Sequence, residues 1–171
     1  MHYLIRNIAK FSLVILLFVG CKPNPASYSQ IPDLFKQYEK QPGFVIFEMT
    51  GGKNQNLITF GETHNEEILR SIKLYRILIY SQNDNILLAD SVLRRFDKKL
   101  QALNMKPVEV KLDSINRVLY LPQNTDTVLN DAFLFVPLTS SSSPSLSIIH
   151  MIGEMSPEAL STVAKEFRLS L

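Results

Sequence analysis

Cysteine, glycine and proline are scarce in this sequence, and their scarcity excludes several classes of protein. Cys21 is the one cysteine, so no disulfide can form within the chain. Six glycines and nine prolines among 171 residues exclude a collagen-like or low-complexity chain. Hydrophobic residues make up 46% of the chain, which is enough to build the core of about one folded domain.

Charge of one sign is also lacking once the first 20 residues are set apart. Those residues contain Arg6 and Lys10 and no acidic residue. Removing these two from the 18 basic residues leaves 16, which equals the number of acidic residues. A neutral domain lacks the basic surface typical of general nucleic-acid-binding proteins, so no nucleic-acid partner is predicted.

The short motifs that hold catalytic groups in common enzyme classes are missing as well. There is no Gly-x-Ser-x-Gly or Ser-x-x-Lys motif for a serine nucleophile. There is no Gly-x-x-x-x-Gly-Lys motif for phosphate and no Gly-x-Gly-x-x-Gly motif for a dinucleotide. The segment Gly51-Gly52-Lys53 is too short for either and is typical of a turn. These absences favour a protein that is not an enzyme and uses no cofactor.

The first 20 residues have the organisation of a bacterial export signal. Two basic residues precede the apolar run Phe11–Val19, which is interrupted only by Ser12. A membrane-spanning helix needs about 20 apolar residues, and this run is about half that length. We therefore predict a removable signal peptide over residues 1–20.

The signal peptide ends in Phe18-Val19-Gly20-Cys21, which resembles the lipobox of bacterial lipoproteins, with Phe18 in place of the usual Leu. In that family the cysteine sulfur carries a diacylglycerol, the leader is cut before the cysteine, and the new amine is acylated. The resemblance implies that Cys21 is the lipid attachment site and that several acyl chains anchor the protein permanently. An ordinary secretory leader and an uncleaved anchor are the alternatives.

The residues after Cys21 bear on location and reach. Enterobacterial lipoproteins that stay at the inner membrane have Asp in the next position, whereas this chain has Lys22, which favours the outer membrane. No acidic run follows, which favours the periplasmic face over the cell surface. Residues 21–30 are interpreted as the lipidated cysteine and a flexible tether, because Lys22–Gln30 contains two prolines and few apolar residues. Nine extended residues reach up to roughly 30 Å from the bilayer.

Hydrophobic spacing divides residues 31–171, interpreted as a single domain, into helices and strands. Helices are predicted at residues 31–38, 63–72, 86–103 and 156–167. Strands are predicted at residues 44–50, 74–80, 108–113, 117–121, 132–138 and 146–152.

Two of these segments carry further expectations. The nearly continuous apolar run at 44–50 is typical of an interior strand, and the serine-rich segment 139–145 is typical of a mobile loop. Helices and strands alternate early and strands follow one another late. This order predicts an α+β fold, a two-layer sandwich with a mixed, mostly antiparallel sheet and helices mainly on one face.

Three segments of the domain, together with the lipid signal, carry a resemblance to a known family. They are Leu34-Phe35-Lys36-Gln37-Tyr38-Glu39 followed by Gly43, Leu69-Arg70-Ser71-Ile72-Lys73-Leu74 leading into a strand, and Ile152-Gly153-Glu154-Met155-Ser156 before the last helix. In this order they resemble, over most of the domain, a family of small Bacteroidota lipoproteins that carry a domain of unknown function. The resemblance implies a cell-envelope lipoprotein and no known activity.

One cluster of ionisable residues invites a metal-site interpretation. Glu62, His64, Glu66 and Glu67 include the imidazole and carboxylate groups that bind zinc and harder cations. However, Thr63 and Glu66 have the spacing of a helix capping box. No second histidine lies at ligand spacing, because His150 falls on a predicted strand. The cluster is therefore interpreted as a helix start, and no metal site is predicted.

A second cluster is basic. Arg94, Arg95, Lys98 and Lys99 lie on the polar side of the longest predicted helix, at i, i+4 spacing and with Asp97 among them. They can contact anionic lipid headgroups or an acidic partner. The alternative is an ordinary solvated helix face.

The sequence therefore favours a lipid-anchored bacterial envelope protein without enzymatic activity. Its partners are the membrane, through Cys21, and another envelope component, either protein or glycan. Two alternatives stay open: a metal-dependent or hydrolytic module that uses residues around His64, and a purely structural envelope lipoprotein.

Overall fold

The computed structural model describes residues 29–51, 58–59, 70–81, 86–112, 115–123, 128–140, 143–166 and 168–169. The predictions for the signal peptide, for Cys21 and for the residues around His64 lie outside these ranges.

The described ranges contain eight strands, two α-helices and one short 3-10 helix. In chain order they are the 3-10 helix Lys36–Tyr38, β1 Phe44–Thr50, β2 Ile58–Thr59, β3 Ile72–Ser81, α1 Ile86–Ala102, β4 Met105–Leu112, β5 Ile115–Pro122, β6 Leu129–Ser140, β7 Ser143–Met155, α2 Pro157–Glu166 and β8 Arg168–Leu169.

Six of the strands form one sheet in the order β1-β3-β7-β6-β5-β4. Every pairing in it is antiparallel. The two-residue strands β2 and β8 pair separately. The predicted α+β class and the antiparallel character of the sheet are confirmed.

The sheet is buried on both faces because successive side chains of its central strands are apolar and alternate in direction. Ile77 belongs to one core cluster and its neighbour Leu78 to the other. Helix α1 adds Phe96 to the Leu78 cluster, and α2 adds Leu160 to the Ile77 cluster. We name these sides the α1 face and the α2 face. Among the described residues, one helix packs on each face, so the predicted placement of the helices mainly on one face is not confirmed.

Two local expectations are wrong. Residues 139–145 are not a loop throughout, because the β6–β7 hairpin continues through the pairs Thr139↔Pro144 and Ser140↔Ser143. At the start of the domain, only residues 36–38 are helical. There the Asp33 side chain accepts hydrogen bonds from the N–H groups of Phe35 and Lys36 at 2.9 and 3.2 Å, which favours a tight turn over a longer helix.

The position of β1 also differs from expectation, because it lies at an edge of the sheet and not in its interior. Val45 and Phe47 project from it on the α2 face and are 49% and 39% exposed. On the α1 face, Phe44 and Ile46 pack partly against the core. A run of apolar residues does not reveal whether a strand has one neighbour or two, which explains the error.

Candidate functional site

Helix α1 presents the predicted basic residues on the outer side of the α1 face. Its inner side is fixed by Val92, Phe96 and Leu100, which are buried in the core. The outer residues Arg94, Arg95 and Lys98 are exposed, and the exposed acid on this helix is Asp90. An open depression of about 360 Å³ is lined by Asp90, Ser91, Arg94, Arg95 and Lys98.

Lys99, the fourth predicted residue, has a different role. Its Nζ donates a hydrogen bond to Gln37 Oε1 at 2.8 Å, which ties α1 to the N-terminal segment. Asp97 is also engaged, because it accepts hydrogen bonds from Tyr120 Oη at 2.8 Å and from Gln101 Nε2 at 2.6 Å. The exposed basic residues of α1 are therefore Arg94, Arg95 and Lys98, and Asp90 is the exposed acidic residue of the same helix.

A buried polar cluster joins the N-terminal segment to the same face of the sheet. Asp131 of β6 and His150 of β7 are 2% and 3% exposed, and Asp131 Oδ1 lies 2.7 Å from His150 Nε2. Asp131 Oδ1 also accepts from Ser29 Oγ at 2.5 Å, and Oδ2 accepts from the Gln30 N–H at 2.8 Å. The last two residues of the predicted tether are thus bound to the domain.

The surroundings of His150 favour its neutral form. Its ring stacks on Phe133 at 4.0 Å between ring centres, with 9° between the planes. Burial lowers the pKa of His150 and outweighs the opposing effect of the Asp131 carboxylate. A neutral imidazole whose Nε2–H donates to Asp131 satisfies both groups.

An ion-pair network lies beside this cluster in register across the sheet, where Glu48, Arg76 and His150 are cross-strand neighbours. Arg76 Nη2 contacts Asp33 Oδ2, and Arg76 Nε contacts Glu48 Oε1, both at 2.7 Å. Burial alone would raise the pKa of Asp33, but hydrogen bonds from Arg76 and from two backbone N–H groups hold it below its usual value. The Arg76 guanidinium also lies 5.9 Å from the ring centre of Phe35.

Ser29, His150 and Asp131 include the residue types of a hydrolase triad, but their contacts follow a different order. In a triad the histidine accepts the serine proton and the acid orients the histidine. Here the Ser29 hydroxyl donates a hydrogen bond to Asp131 Oδ1, and the same carboxylate oxygen contacts His150 Nε2. This geometry serves to hold the N-terminal segment against the sheet and does not activate a nucleophile.

Sequence reasoning missed this cluster because its members are far apart in the chain. Ser29 and Asp131 are separated by 102 positions. One available signal was an acidic residue, Asp131, at the start of the apolar run 132–136. A buried carboxylate needs hydrogen-bond donors, and that requirement points to a polar partner from elsewhere in the fold.

The described ranges contain no group of three or more His, Cys, Asp or Glu residues placed to hold a metal ion. None of their helices is long and apolar enough to cross a membrane. No protein-family model, curated protein or solved structure matches the chain.

Proposed function

We propose that this protein is a lipid-anchored component of the bacterial cell envelope, attached through Cys21, whose α+β domain acts by binding and not by catalysis. The docking of Ser29 onto Asp131 carries the proposal. Ser29 is eight residues after Cys21, and eight extended residues span at most about 29 Å. The anchor therefore keeps the domain next to the bilayer.

The docked segment also gives the domain an orientation. Ser29 and Gln30 bind at Asp131, and the following Phe35 and Tyr38 join the core of the α1 face. The chain from the anchor thus reaches the domain on the side that carries the exposed basic residues of α1. We propose that this side faces the membrane, where each basic residue near anionic headgroups contributes about 1 kcal/mol.

The other surfaces remain open to a protein or glycan partner in this arrangement. The ionisable side chains on the α1 face of the sheet contact one another: Glu48 and Asp33 bind Arg76, and Asp131 binds His150. These groups stabilise the fold, which supports a binding role over a catalytic one.

The anchor is tested by comparing the wild-type chain with the Cys21→Ala variant. We expect the wild-type protein in the outer-membrane fraction and the variant in the soluble fraction. Crosslinking in cells followed by mass spectrometry then identifies partners that are recovered with the wild type and lost with the variant. A variant that stays in the membrane fraction would contradict attachment through Cys21.

The orientation is tested with a chain that lacks the lipid and with vesicles that contain phosphatidylglycerol. Reversing Arg94 and Lys98 to Glu is expected to weaken vesicle binding at least about tenfold, because two attractive contacts become repulsive. The matched control reverses Lys106 and Lys165, which are exposed on the other side of the domain. Equal losses in the two double variants would refute a specific membrane-facing side.

A further inference from the structure

The open depression beside helix α1 combines cationic groups with hydrogen-bond acceptors. Its volume is about 360 Å³, which lies within the range of about 300–1,000 Å³ that is common for small-ligand sites. The residues that line it are Asp90, Ser91, Arg94, Arg95 and Lys98. Because the surface is concave, several of these side chains can contact the same ligand.

The positive charges of the depression are close together on the helix. Arg94 and Lys98 are four residues apart, and residues at this spacing are neighbours on one side of a helix. Like charges at this spacing repel each other and destabilise the helix. Arg95 adds a third positive charge to the lining. This arrangement is unfavourable in the protein alone and becomes favourable when an anion binds among the three groups.

The acidic residue of the depression does not neutralise these cations by direct contact. Asp90 precedes Arg94 by four residues, which is the order and spacing that favour an ion pair on a helix. The ion pairs among the described residues nevertheless involve Arg76 and His150 and none of the lining residues. The exposed carboxylate of Asp90 can therefore accept hydrogen bonds from a ligand.

We propose that this depression binds a phosphorylated polyol, which is a glycerol or a sugar that carries a phosphate ester. The phosphate contacts Arg94, Arg95 and Lys98, and a hydroxyl group of the polyol donates a hydrogen bond to Asp90. Two of the three cations are arginines, whose planar guanidinium groups can bind two phosphate oxygens at once. An anion without hydroxyl groups would only be repelled by Asp90, so this carboxylate favours a ligand that also offers donors.

The spacing along α1 suits a ligand of this kind. Successive members of the series Asp90, Arg94 and Lys98 are separated by about 6 Å along the helix axis, since each residue adds about 1.5 Å. A glycerol or sugar phosphate has hydroxyl groups within a few carbon atoms of its phosphate. The phosphate can therefore lie between Arg94 and Lys98 while a hydroxyl group reaches Asp90.

Two sources can supply this chemistry. One is the phosphoglycerol headgroup of a membrane lipid, and the other is a soluble glycerol or sugar phosphate. The lipid source rests on the proposed function, because it requires the α1 face to lie next to a bilayer. The site itself does not depend on that orientation, so the two can be tested separately.

The site is tested by calorimetric titration of glycerol 3-phosphate into the Cys21→Ala chain at constant ionic strength. We expect one saturable site, and we expect Arg94→Gln combined with Lys98→Gln to raise Kd at least about tenfold, because two charge-assisted contacts are lost. The matched control removes two exposed lysines elsewhere, Lys106→Gln with Lys165→Gln, and should leave Kd unchanged. No saturable binding, or equal losses in the two double variants, would overturn the proposal.

Asp90 distinguishes a polyol site from a surface that attracts any anion. The quantity to compare is the ratio of the Kd of inorganic phosphate to the Kd of glycerol 3-phosphate. Asp90→Ala removes repulsion toward both ligands, but it removes a hydroxyl acceptor from glycerol 3-phosphate alone. The ratio should therefore fall at least about fivefold. An unchanged ratio would refute the contact between Asp90 and the polyol, and circular dichroism checks that the variant retains its helices.

Vesicles distinguish the lipid source from the soluble one. Phosphatidylglycerol and phosphatidylserine carry the same net charge, but only the first offers glycerol hydroxyl groups. A membrane-facing basic side alone predicts equal binding to both vesicles, whereas the site predicts tighter binding to phosphatidylglycerol and competition by glycerol 3-phosphate. Binding of glycerol 3-phosphate without a vesicle preference would support the site with a soluble ligand. Equal binding to both vesicles without any binding of glycerol 3-phosphate would refute the site and leave the proposed orientation intact.

Discussion

Replacing Asp131 by Asn tests whether the buried polar cluster holds the N-terminal segment to the sheet. The substitution keeps the shape of the side chain and removes its charge. Oδ1 of Asp131 accepts from Ser29 and His150, so Asn must keep its oxygen there. Its NH2 group then faces the Gln30 N–H, which binds Oδ2 at 2.8 Å in the wild type. Two donors point at each other, and the remaining bonds lose their charged acceptor.

The expected loss follows from these contacts. A hydrogen bond to a charged group contributes about 1.5–3 kcal/mol, and a buried donor left without an acceptor costs a similar amount. We expect the free energy of unfolding to fall by about 2–3 kcal/mol. One hydrogen bond is lost and two are weakened, and the three effects do not add fully because the groups are in contact. For a chain of this size, that lowers Tm by about 4–12 °C. The chain has no tryptophan, so unfolding in urea is followed by circular dichroism.

The matched control is Asp90→Asn on α1, where the aspartate is exposed. Its effect should stay within about 0.5 kcal/mol. A double-mutant cycle of Asp131→Asn with Ser29→Ala should show coupling above about 0.5 kcal/mol, because the two side chains are in direct contact. Equal costs for Asp131→Asn and Asp90→Asn, or a cycle without coupling, would refute the role of Asp131 in holding the N-terminal segment.

Three further predictions concern other buried contacts. The pKa of His150 is near 6.5 in the unfolded chain and lower in the folded protein, where the side chain is buried. The free energy of unfolding should therefore fall as the pH drops below 6.5, by up to about 1.4 kcal/mol per pH unit, and an equal pH dependence in His150→Gln would contradict this. Gly153→Ala should lower the free energy of unfolding, measured in urea, by about 1–3 kcal/mol or more, because the added Cβ would lie 2.1 Å from the Ser71 carbonyl oxygen. An unchanged free energy of unfolding would show that the backbone at this position shifts at little cost. Arg117→Met should lower the stability measured by thermal unfolding by about 1.5–3 kcal/mol, because Arg117 Nη1 donates a hydrogen bond to the Ala164 carbonyl at 2.6 Å near the end of α2. An unchanged Tm would rule out this capping role.

The local features of the fold were accessible to sequence reasoning because they depend on neighbouring residues. Helix α1 was predicted at 86–103 and spans Ile86–Ala102, since its apolar residues repeat at helical spacing. The start of α2 was predicted from Ser156 and Pro157, and Ser156 Oγ does accept a hydrogen bond from the Ala159 N–H at 3.1 Å. Spacing of this kind reports on a single element and needs no knowledge of the rest.

Features that depend on distant segments were not accessible. The sequence does not encode, in any local pattern, that α1 and α2 pack on opposite faces. It also gives no local sign that Ser29 meets Asp131 across 102 positions. The same limit applies to the basic residues of α1. Their spacing predicted one shared surface, but Lys99 binds Gln37 of the N-terminal segment, a contact set by tertiary packing.

The wrong prediction for β1 has a physical explanation in its composition. The apolar residues Phe44–Thr50 have the composition of a strand with neighbours on both sides, yet the isolated chain gives this strand one neighbour in the described residues. The opposite edge strand β4 carries Lys106 and Pro107, which are typical of an edge position. β1 contains neither lysine nor proline, so a composition rule for edge strands identifies β4 and misses β1.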